Sequence, residues 1–237
     1  MADGFLVERC RLDEIDALAL SLDGGGTQPP PSPGGDFDAG ELEEAARLRL
    51  PKRRRQWLAG RLAAKRVLRR MIPVEIPMSG IAIRSREDRS PECARLGHDG
   101  FSISHSGDWA AAAAVPAGAL VGIDLEAVAP RTASFLSLCA HPSEIDARTA
   151  ADPREQTTLW TMKEAVSKLL RVGLSAGFWD IRFPCTETGR RVELFGEPLA
   201  RWEAAGRPEI LFHTTADERE VLTVAYTRTA AQGADHD

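Results

Sequence analysis

The pattern of apolar and polar residues predicts a chain that mixes strands with helices. Runs in which apolar and polar side chains alternate are typical of half-buried strands, and apolar residues three or four positions apart are typical of helices. Strands are predicted at residues 5–12, 81–84, 101–106, 110–114, 120–126, 177–183, 191–195, 209–214 and 221–227. Helices are predicted at residues 13–22, 41–50, 56–71, 133–139, 143–150 and 154–172. The predicted fold class is therefore α+β.

Two of the predicted helices carry large side chains at the same spacing, and each precedes a stretch of strands. These side chains are Trp57, Arg61 and Lys65 on the first helix and Trp160, Glu164 and Lys168 on the second. Residues four apart share one face of a helix. The repeat predicts two pseudo-symmetric α/β halves, residues 1–117 and 118–237, with a cleft between them.

The connections between elements give two further predictions. The strand at residues 110–114 is predicted to pair with the strand at 120–126 through a turn at 116–118. The glycine- and proline-rich stretch at 24–40, with its proline-rich insert at 28–33, is predicted to be a flexible loop inside the fold. It is not expected to be a domain linker, because the segment before it is too short to form a domain.

Composition indicates a soluble globular protein. The 237 residues are 43% hydrophobic and 27% charged, and the first 20 residues contain no apolar signal-peptide core. No apolar run is long enough to span a bilayer. The four cysteines are far apart in the sequence, which favours reduced thiols over a zinc site or a disulfide framework. The expectation is a cytoplasmic protein with no membrane contact.

Charge is unevenly distributed, although the net value is only −5. Eleven of the 30 Lys and Arg residues lie between positions 45 and 74, where no acid occurs. Such segregation favours an anionic partner, either nucleic acid or a phosphorylated small molecule, over a solvated helix face. Nucleic acid is the weaker prediction, because Trp57 is the only aromatic residue in the block and stacking platforms use several.

Three groups of residues have side chains suited to phosphate chemistry. Asp124 and Glu126 alternate with apolar residues and so share one face of a strand, where a hard cation such as Mg²⁺ would relieve their repulsion. The alternative is a strand end at which two acids face water. Ser104, His105 and Ser106 precede a glycine and can donate hydrogen bonds to a phosphate, or they form an ordinary polar turn. Glu164 and Lys168 could likewise be a simple surface ion pair.

Two of these segments together resemble a known family. Residues 122–126, Gly-Ile-Asp-Leu-Glu, and residues 160–168, Trp-Thr-Met-Lys-Glu-Ala-Val-Ser-Lys, are similar to the signature pair of 4′-phosphopantetheinyl transferases. Residues 101–107 and 57–61 resemble the monomeric, surfactin-synthetase-activating type of that family. The resemblance extends in register over residues 53–183.

The resemblance implies a fold, a reaction and partners. It implies two pseudo-symmetric α/β halves, with coenzyme A and Mg²⁺ bound at an active site in the cleft between them. The first half would carry the basic coenzyme A-binding helix, and the second the Mg²⁺-binding acids and the catalytic helix. The reaction would transfer 4′-phosphopantetheine from coenzyme A to a serine of an apo acyl or peptidyl carrier protein. The carrier would serve fatty acid, polyketide or nonribosomal peptide biosynthesis.

The same resemblance assigns roles to individual residues. Asp124, Glu126 and Glu164 would bind Mg²⁺, and Glu164 would also accept the serine proton. Lys168 and His105 would complete the catalytic set. The residues implied to bind coenzyme A are Arg54, Arg61, Lys65, Ser104, His105 and Lys168.

This chain departs from the family pattern at two sites, one of which is the proline-rich insert at 28–33, an insert with no clear counterpart in the family. Many relatives have Gly-Lys/Arg-Pro ahead of the Ser-x-Ser-His-Ser stretch, whereas residues 88–91 here are Asp-Arg-Ser-Pro. Arg89 would either replace that basic residue from a neighbouring position or leave the contact unmade. Neither outcome affects the acid set. The alternative function is a non-catalytic module that binds coenzyme A or a carrier protein, which would not need all three acids and Lys168.

Overall fold

The structure is a computed structural model that describes residues 4–22, 35–72, 75–173, 177–186 and 189–229. Most of the predicted loop at 24–40 lies outside the described residues, and the proline-rich insert at 28–33 lies wholly outside them. The chain divides into two compact units, Met1–Gly118 and Ala119–Asp237.

In the first unit, a long helix covers a three-stranded antiparallel sheet. The sheet has the order β1-β5-β4, and α3 packs against all three strands. The strands of the unit are β1 (Leu6–Arg11), β2 (Arg84–Ser85), β3 (Pro91–Glu92), β4 (Phe101–Ser106) and β5 (Trp109–Ala114). Its helices are α1 (Asp16–Ser21), α2 (Ala39–Arg47) and α3 (Pro51–Met71).

The longest helix, α3, begins earlier than the apolar period predicts. Pro51 lies in the gap between the helices predicted at 41–50 and 56–71, but it occupies the first turn of α3, where its missing N–H group costs no hydrogen bond. The apolar side chains of Leu58, Leu62 and Leu68 are buried against the sheet. The five alanines of β5 are fully buried, and Ala110, Ala112 and Ala114, which share one face of the strand, belong to the core beneath the helix.

In the second unit, a long helix again covers a three-stranded antiparallel sheet. Here the order is β11-β12-β6, and α6 packs against these strands. The strands are β6 (Val121–Ala127), β7 (Ile181–Arg182), β8 (Cys185–Thr186), β9 (Gly189–Arg190), β10 (Glu193–Leu194), β11 (Leu211–Ala216) and β12 (Glu220–Tyr226). The helices are α4 (Ala133–Cys139), α5 (Ala147–Ala151), α6 (Pro153–Leu170) and α7 (Gly196–Ala204).

The two units share one topology. In each, the first strand lies at one edge of the sheet, and the chain then passes through the long helix to a final antiparallel pair. The last strand of each unit, β5 or β12, is central and pairs with the first strand, β1 or β6. The prediction of an α+β fold with two similar halves is confirmed by this shared order of strands and helices.

Two predictions about the sheets are wrong. Residues 110–114 do not pair with residues 120–126, because β5 pairs with β1 and β4 whereas β6 pairs with β12. The reason is local: Gly107 has a φ of 55° and forms the turn that folds β4 back onto β5. The series of strands predicted after residue 177 is interrupted by α7, and the strand predicted at 177–183 shortens to the two residues of β7.

In the described part of the chain, no helix is long and apolar enough to cross a membrane. All four cysteines are free thiols; Cys10, Cys93 and Cys139 are buried and Cys185 is exposed. Neither observation conflicts with the predictions made from composition.

Candidate functional site

The second unit brings together three carboxyl groups, those of Asp124, Glu126 and Glu164, which we call the acidic cluster. Trp160 Nε1 donates a hydrogen bond to Glu126 Oε1 at 3.4 Å, and Lys168 Nζ donates to Asp124 Oδ1 at 2.7 Å. Glu164 lies one turn from Trp160 and one turn from Lys168 on the same face of α6. Its carboxyl group therefore lies on the same side of the helix as these two contacts, and the charges of Lys168, Asp124 and Glu126 act on it.

A glycine allows the strand and the helix to approach this closely. A Cβ atom placed on Gly122 would lie 1.9 Å from the carbonyl oxygen of Ala165 and 2.6 Å from the backbone nitrogen of Leu169. Any side chain at this position would push β6 away from α6. The glycine of the first motif thus brings Asp124 within reach of Lys168, a role that the sequence pattern alone did not reveal.

The carboxyl group of Glu164 is electrostatically frustrated. Its Oε1 atom is buried and has no hydrogen-bond partner among the described residues. Burial is the main cause that raises its pKa to about 7; Lys168 lowers the pKa in part, and the charges on Asp124 and Glu126 raise it. Near neutral pH, Glu164 therefore exchanges between its protonated and ionised forms.

The acidic cluster has the donor chemistry of a Mg²⁺ site. In the described ranges, no group of three or more His, Cys, Asp or Glu side chains is arranged to hold a metal ion, and Lys168 balances the charge on Asp124. The donors are nevertheless all carboxylate oxygens, and the buried Oε1 of Glu164 lacks a partner. These features fit a hard divalent cation, so the predicted ligand set of Asp124, Glu126 and Glu164 stays a proposal.

The first unit contains a cavity of about 250 Å³, which we call the basic pocket. It is formed where α3, the β2–β3 hairpin and the end of β4 meet. Its lining residues are Arg53, Gln56, Trp57, Gly60, Arg61, Ser85, Arg89, Pro91, Ile103 and His105. Three arginines and a histidine line this pocket and no acid does, which is the composition of an anion site.

Arg61 is the most constrained cation of the basic pocket. The residue is 8% exposed, its guanidinium lies 3.9 Å from the centroid of the Trp57 ring, and Nη2 donates to Ser85 Oγ at 3.1 Å. Its Nε atom is buried and has no hydrogen-bond partner among the described residues. Burial lowers the pKa of Arg61 to about 10, so the side chain stays charged at neutral pH. The charges of Glu44 and Glu41 act on Arg61, but within the described ranges no carboxylate forms a salt bridge with it. A buried cation in this state is suited to binding an anion.

Two further basic groups complete the pocket. Arg53 Nη1 lies 3.5 Å from His105 Nε2. Arg89 lines the pocket from the turn between β2 and β3, where its φ of 66° places it in the left-handed region. The sequence has no basic residue directly before Pro91, and Arg89 reaches the pocket from two positions earlier through this backbone turn.

Two residues predicted to bind coenzyme A have other partners in the structure. The guanidinium of Arg54 is buried and donates to the carbonyl oxygens of Ala45, Ala19 and Leu48. Lys65 is fully buried and forms an ion pair with Glu41 at 2.7 Å. Neither side chain lines the basic pocket, whereas Arg53 and Arg89 do. Binding of coenzyme A by Arg54 and Lys65 stays a prediction that these contacts do not favour.

Ser104 and His105 are adjacent in β4, and only His105 lines the pocket. Successive side chains of a strand point to opposite faces, and Ile103 and His105 accordingly share the pocket side. Ser104 is buried on the other side. Gln56 and Ser85 also line the pocket, and no motif in the sequence identified them. Gln56 lies within the helical period, but nothing in the sequence marks Ser85, which reaches the pocket only through folding.

Comparison with known proteins points to one family. Residues 120–224 match the family model described as 4′-phosphopantetheinyl transferase superfamily. Residues 42–115 match the model described as 4′-phosphopantetheinyl transferase N-terminal domain. A curated protein from Bacillus pumilus, 4′-phosphopantetheinyl transferase psf-1, is 27% identical over 150 residues, or 62% of this chain. The chain spans 63% of the length of that relative.

Solved structures also match parts of the chain. An ACPS–CoA complex from Chronobacterium ammoniagenes is 20% identical with a TM-score of 0.38; the match covers 46% of this chain and 96% of that one. Acyl carrier protein synthase from Mycobacterium tuberculosis is 28% identical with a TM-score of 0.35, and the match covers 46% and 96% of the two chains.

Proposed function

The chain belongs to the 4′-phosphopantetheinyl transferase superfamily, and we propose that it transfers 4′-phosphopantetheine from coenzyme A to a serine of an apo acyl or peptidyl carrier protein. Adenosine 3′,5′-bisphosphate would be the second product. The observation that carries this proposal is the acidic cluster, in which Glu164 lies on the same side of α6 as the Trp160 and Lys168 contacts and the charges of Asp124 and Glu126 act on it.

Glu164 is suited to act as the general base. A base works best when its pKa lies near the working pH, and without a metal ion beside it burial raises the pKa of Glu164 to about 7. A bound Mg²⁺ would lower this pKa and keep the carboxylate ionised and able to accept a proton. The serine oxygen would bond to the phosphorus that carries pantetheine while Glu164 accepts the serine proton. The bond from that phosphorus to the bridging oxygen would break, and Lys168 would stabilise the negative charge that develops on the leaving phosphate.

Magnesium is part of the same proposal. Asp124, Glu126 and Glu164 would hold the ion, which supplies charge neutralisation to the pyrophosphate of coenzyme A when bound. Oxygen donors and the unpartnered Oε1 of Glu164 support this assignment.

The basic pocket would take the nucleotide end of coenzyme A. Arg53, Arg61, Arg89 and His105 offer N–H donors to a phosphate monoester, and Trp57 offers an aromatic surface beside them. We assign the 3′-phosphate to this pocket because Arg61 is buried and forms no salt bridge with a carboxylate among the described residues. The cleft predicted between the two halves stays a prediction.

We also propose a monomer that acts in the cytoplasm. One chain supplies both the anion pocket and the acid set, which supports action as a monomer. All four cysteines are free thiols, as is usual in a reducing compartment.

Intact-mass analysis of a carrier protein tests the proposed function. An apo peptidyl carrier domain is incubated with coenzyme A, Mg²⁺ and either the wild type or Glu164→Gln. We expect the wild type to add one phosphopantetheine and the variant to lose nearly all activity, because the amide cannot accept the proton. Binding of coenzyme A without any mass change would instead identify the alternative, a non-catalytic binder.

A further inference from the structure

A buried lysine–glutamate pair ties α3 to the segments that follow it in the first unit. Lys65 Nζ donates to Glu41 Oε2 at 2.7 Å and to the carbonyl oxygen of Met78 at 2.9 Å. The other carboxylate oxygen of Glu41 accepts the backbone N–H of Ile83 at 3.0 Å. Both charged side chains are fully buried. Their hydrogen bonds thus fix residues 78–83 to α2 and α3.

The second unit contains the same arrangement on α6. Lys163 Nζ donates to Glu144 Oε2 at 2.8 Å and to the carbonyl oxygens of Phe178 and Ile181. The other carboxylate oxygen of Glu144 accepts the backbone N–H of Phe183 at 2.7 Å. This pair is as deeply buried as the first. We call the two pairs the first lock, Lys65–Glu41, and the second lock, Lys163–Glu144.

The glutamate of each lock also caps the helical turn on which it lies, which is the first turn of α2 for Glu41 and a short 3-10 helix, Pro142–Glu144, for Glu144. Glu41 Oε2 accepts the backbone N–H of Asp38, and Glu144 Oε2 accepts that of His141, each three residues earlier. Each carboxylate therefore accepts from a helix N-terminus, a lysine and a distant backbone N–H group. In the sequence repeat, Lys65 of the first helix aligns with Lys168 of the second. The shared contacts show that Lys65 instead corresponds to Lys163.

A buried ion pair is weak evidence of stabilisation, because desolvating both charges offsets most of their attraction. What the locks do supply is a defined position for the segment they bind. Neither lysine lines the basic pocket or belongs to the acidic cluster, so neither can act by direct contact with those sites.

Each lock reaches one of the two candidate sites through a short chain of contacts. The first lock binds the backbone of Ile83, and two residues later in the polypeptide Ser85 Oγ accepts a hydrogen bond from Arg61 in the basic pocket. Phe178, held by the second lock, packs with its ring centroid 4.8 Å from that of Trp160. Trp160 in turn donates to Glu126 of the acidic cluster.

We propose that Lys65 and Lys163 are positioning residues, each for a different step of the reaction. The first lock holds Ser85 and Arg61 in place and so sets the affinity for the nucleotide end of coenzyme A. The second lock holds Phe178 against Trp160 and so sets the geometry of the acidic cluster in which transfer occurs. The assignment of the two locks to two different steps rests on the proposed function. The contacts from which it is argued do not depend on that function.

Matched substitutions separate positioning from general loss of structure. Lys65→Met and Lys163→Met each remove one lock, and Lys52→Met makes the same change at an exposed position of α3. Because each single variant leaves a buried carboxylate without its cation, the double variants Lys65→Met/Glu41→Gln and Lys163→Met/Glu144→Gln are made as well. The glutamine side chain keeps the size of the glutamate and an oxygen acceptor for the backbone N–H group.

Steady-state kinetics are measured with coenzyme A and an apo peptidyl carrier domain as probes, and coenzyme A binding is measured by calorimetry. We expect loss of the first lock to raise the KM and Kd for coenzyme A about tenfold, with kcat nearly unchanged. Loss of the second lock is expected to lower kcat about tenfold or more, with the Kd for coenzyme A nearly unchanged. Lys52→Met should match the wild type.

The proposal is overturned if both locks change the same parameters, or if every loss simply follows the melting temperature of the variant. Retention of wild-type kinetics by the folded double variants would also overturn it. A wild type that binds coenzyme A but never modifies the carrier would refute the proposed function instead. In that case the calorimetric difference between the locks would still decide the positioning role of Lys65, and a Kd unaffected by its loss would refute that role.

Discussion

At the scale of single residues, the ionised side chain of Glu164 destabilises the folded protein. Its carboxyl group is half-buried, one oxygen lacks a partner among the described residues, and the charges of two other acids act on it. A carboxyl group in this environment destabilises the fold when it is ionised and has almost no effect on stability when it is protonated. The destabilisation therefore appears only at pH values at which Glu164 is ionised.

The pH dependence of stability follows from this shift. In the unfolded chain Glu164 ionises near pH 4.5, whereas its pKa in the folded protein is raised to about 7. Between these values the folded state binds more protons, so the stability contributed by Glu164 falls as pH rises through this window. We expect Glu164→Gln to raise the free energy of unfolding by about 2 kcal/mol at pH 8 and by almost nothing at pH 4.

Melting curves of both proteins from pH 4 to 8, with a chelator present, measure this difference. Glu209→Gln, an exposed glutamate in the same unit, is the control and should change little at any pH. A stabilisation by Glu164→Gln that is constant with pH would mean that the carboxyl group does not carry the penalty described here. Mg²⁺ added to the wild type at pH 8 is expected to recover part of the difference.

At the scale of secondary-structure elements, the distance between β6 and α6 depends on one missing side chain. Gly122→Ala would place a methyl group 1.9 Å from a backbone oxygen of α6, and backbone cannot move aside as a side chain can. We expect a loss of about 1–3 kcal/mol of stability together with loss of transfer activity. Denaturant unfolding and the carrier assay measure the two effects.

The first unit offers a matched comparison. A Cβ atom on Gly60 would lie 2.9 Å from Ile103 Cγ2, the end of a side chain that can move. Alanine also favours a helix over glycine by about 1 kcal/mol, which offsets the crowding. Gly60→Ala should therefore cost far less than Gly122→Ala, and equal costs would show that close approach of backbone is not the cause.

Helix α4 presents an apolar surface next to the acidic cluster. Phe135 packs on Trp160 with ring centroids 5.0 Å apart, and Leu138, one turn further on, is 70% exposed. This exposed apolar surface, which touches Trp160 of the site, is the docking surface that we propose for the carrier protein. We expect Leu138→Gln to raise the KM for the carrier about tenfold, equivalent to about 1.4 kcal/mol, while the KM for coenzyme A stays unchanged.

Leu20 on α1 is 68% exposed and provides the control for that prediction. Leu20→Gln removes the same apolar area from the other unit and should leave both KM values unchanged. If Leu138→Gln behaves like Leu20→Gln, the carrier does not dock on α4.

The sequence predicted the elements of the site better than the contacts between them. The four-residue spacing on α6 and the alternation in β6 correctly identified which side chains share a face. Helical spacing could not show that Lys65 faces Glu41 rather than the pocket, because this depends on where α2 packs. The pairing of β5 was also inaccessible, since an adjacent strand and a distant one have the same alternating pattern.

At the scale of the whole molecule, the basic block of α3 raises the question of whether charge acts at long range or by contact. Arg61 lies in the basic pocket, while Arg69 is exposed two turns further along the same helix. Charges separated by more than about 8 Å are largely screened at physiological ionic strength. Contact with the 3′-phosphate therefore predicts that only one of these arginines affects the affinity for coenzyme A.

We expect Arg61→Ala to raise the KM for coenzyme A about tenfold or more and Arg69→Ala to change it less than about twofold. Dephospho-coenzyme A, which lacks the 3′-phosphate, should show a smaller penalty from Arg61→Ala. Kinetic titrations of both substrates at about 0.15 M salt measure the effect. Equal effects of the two substitutions would favour long-range charge over a bound phosphate.

The order of strands in each unit also has a consequence for synthesis on the ribosome. Leu6 on β1 pairs opposite Ala114 on β5, so the first strand waits for about 100 further residues before its partner emerges. At about 5–20 residues per second, this delay lasts roughly 5–20 seconds. A translational pause before residue 114 prolongs the exposure of an unpaired strand to aggregation, whereas a pause soon after β5 emerges lets the first unit close while the second is still being made.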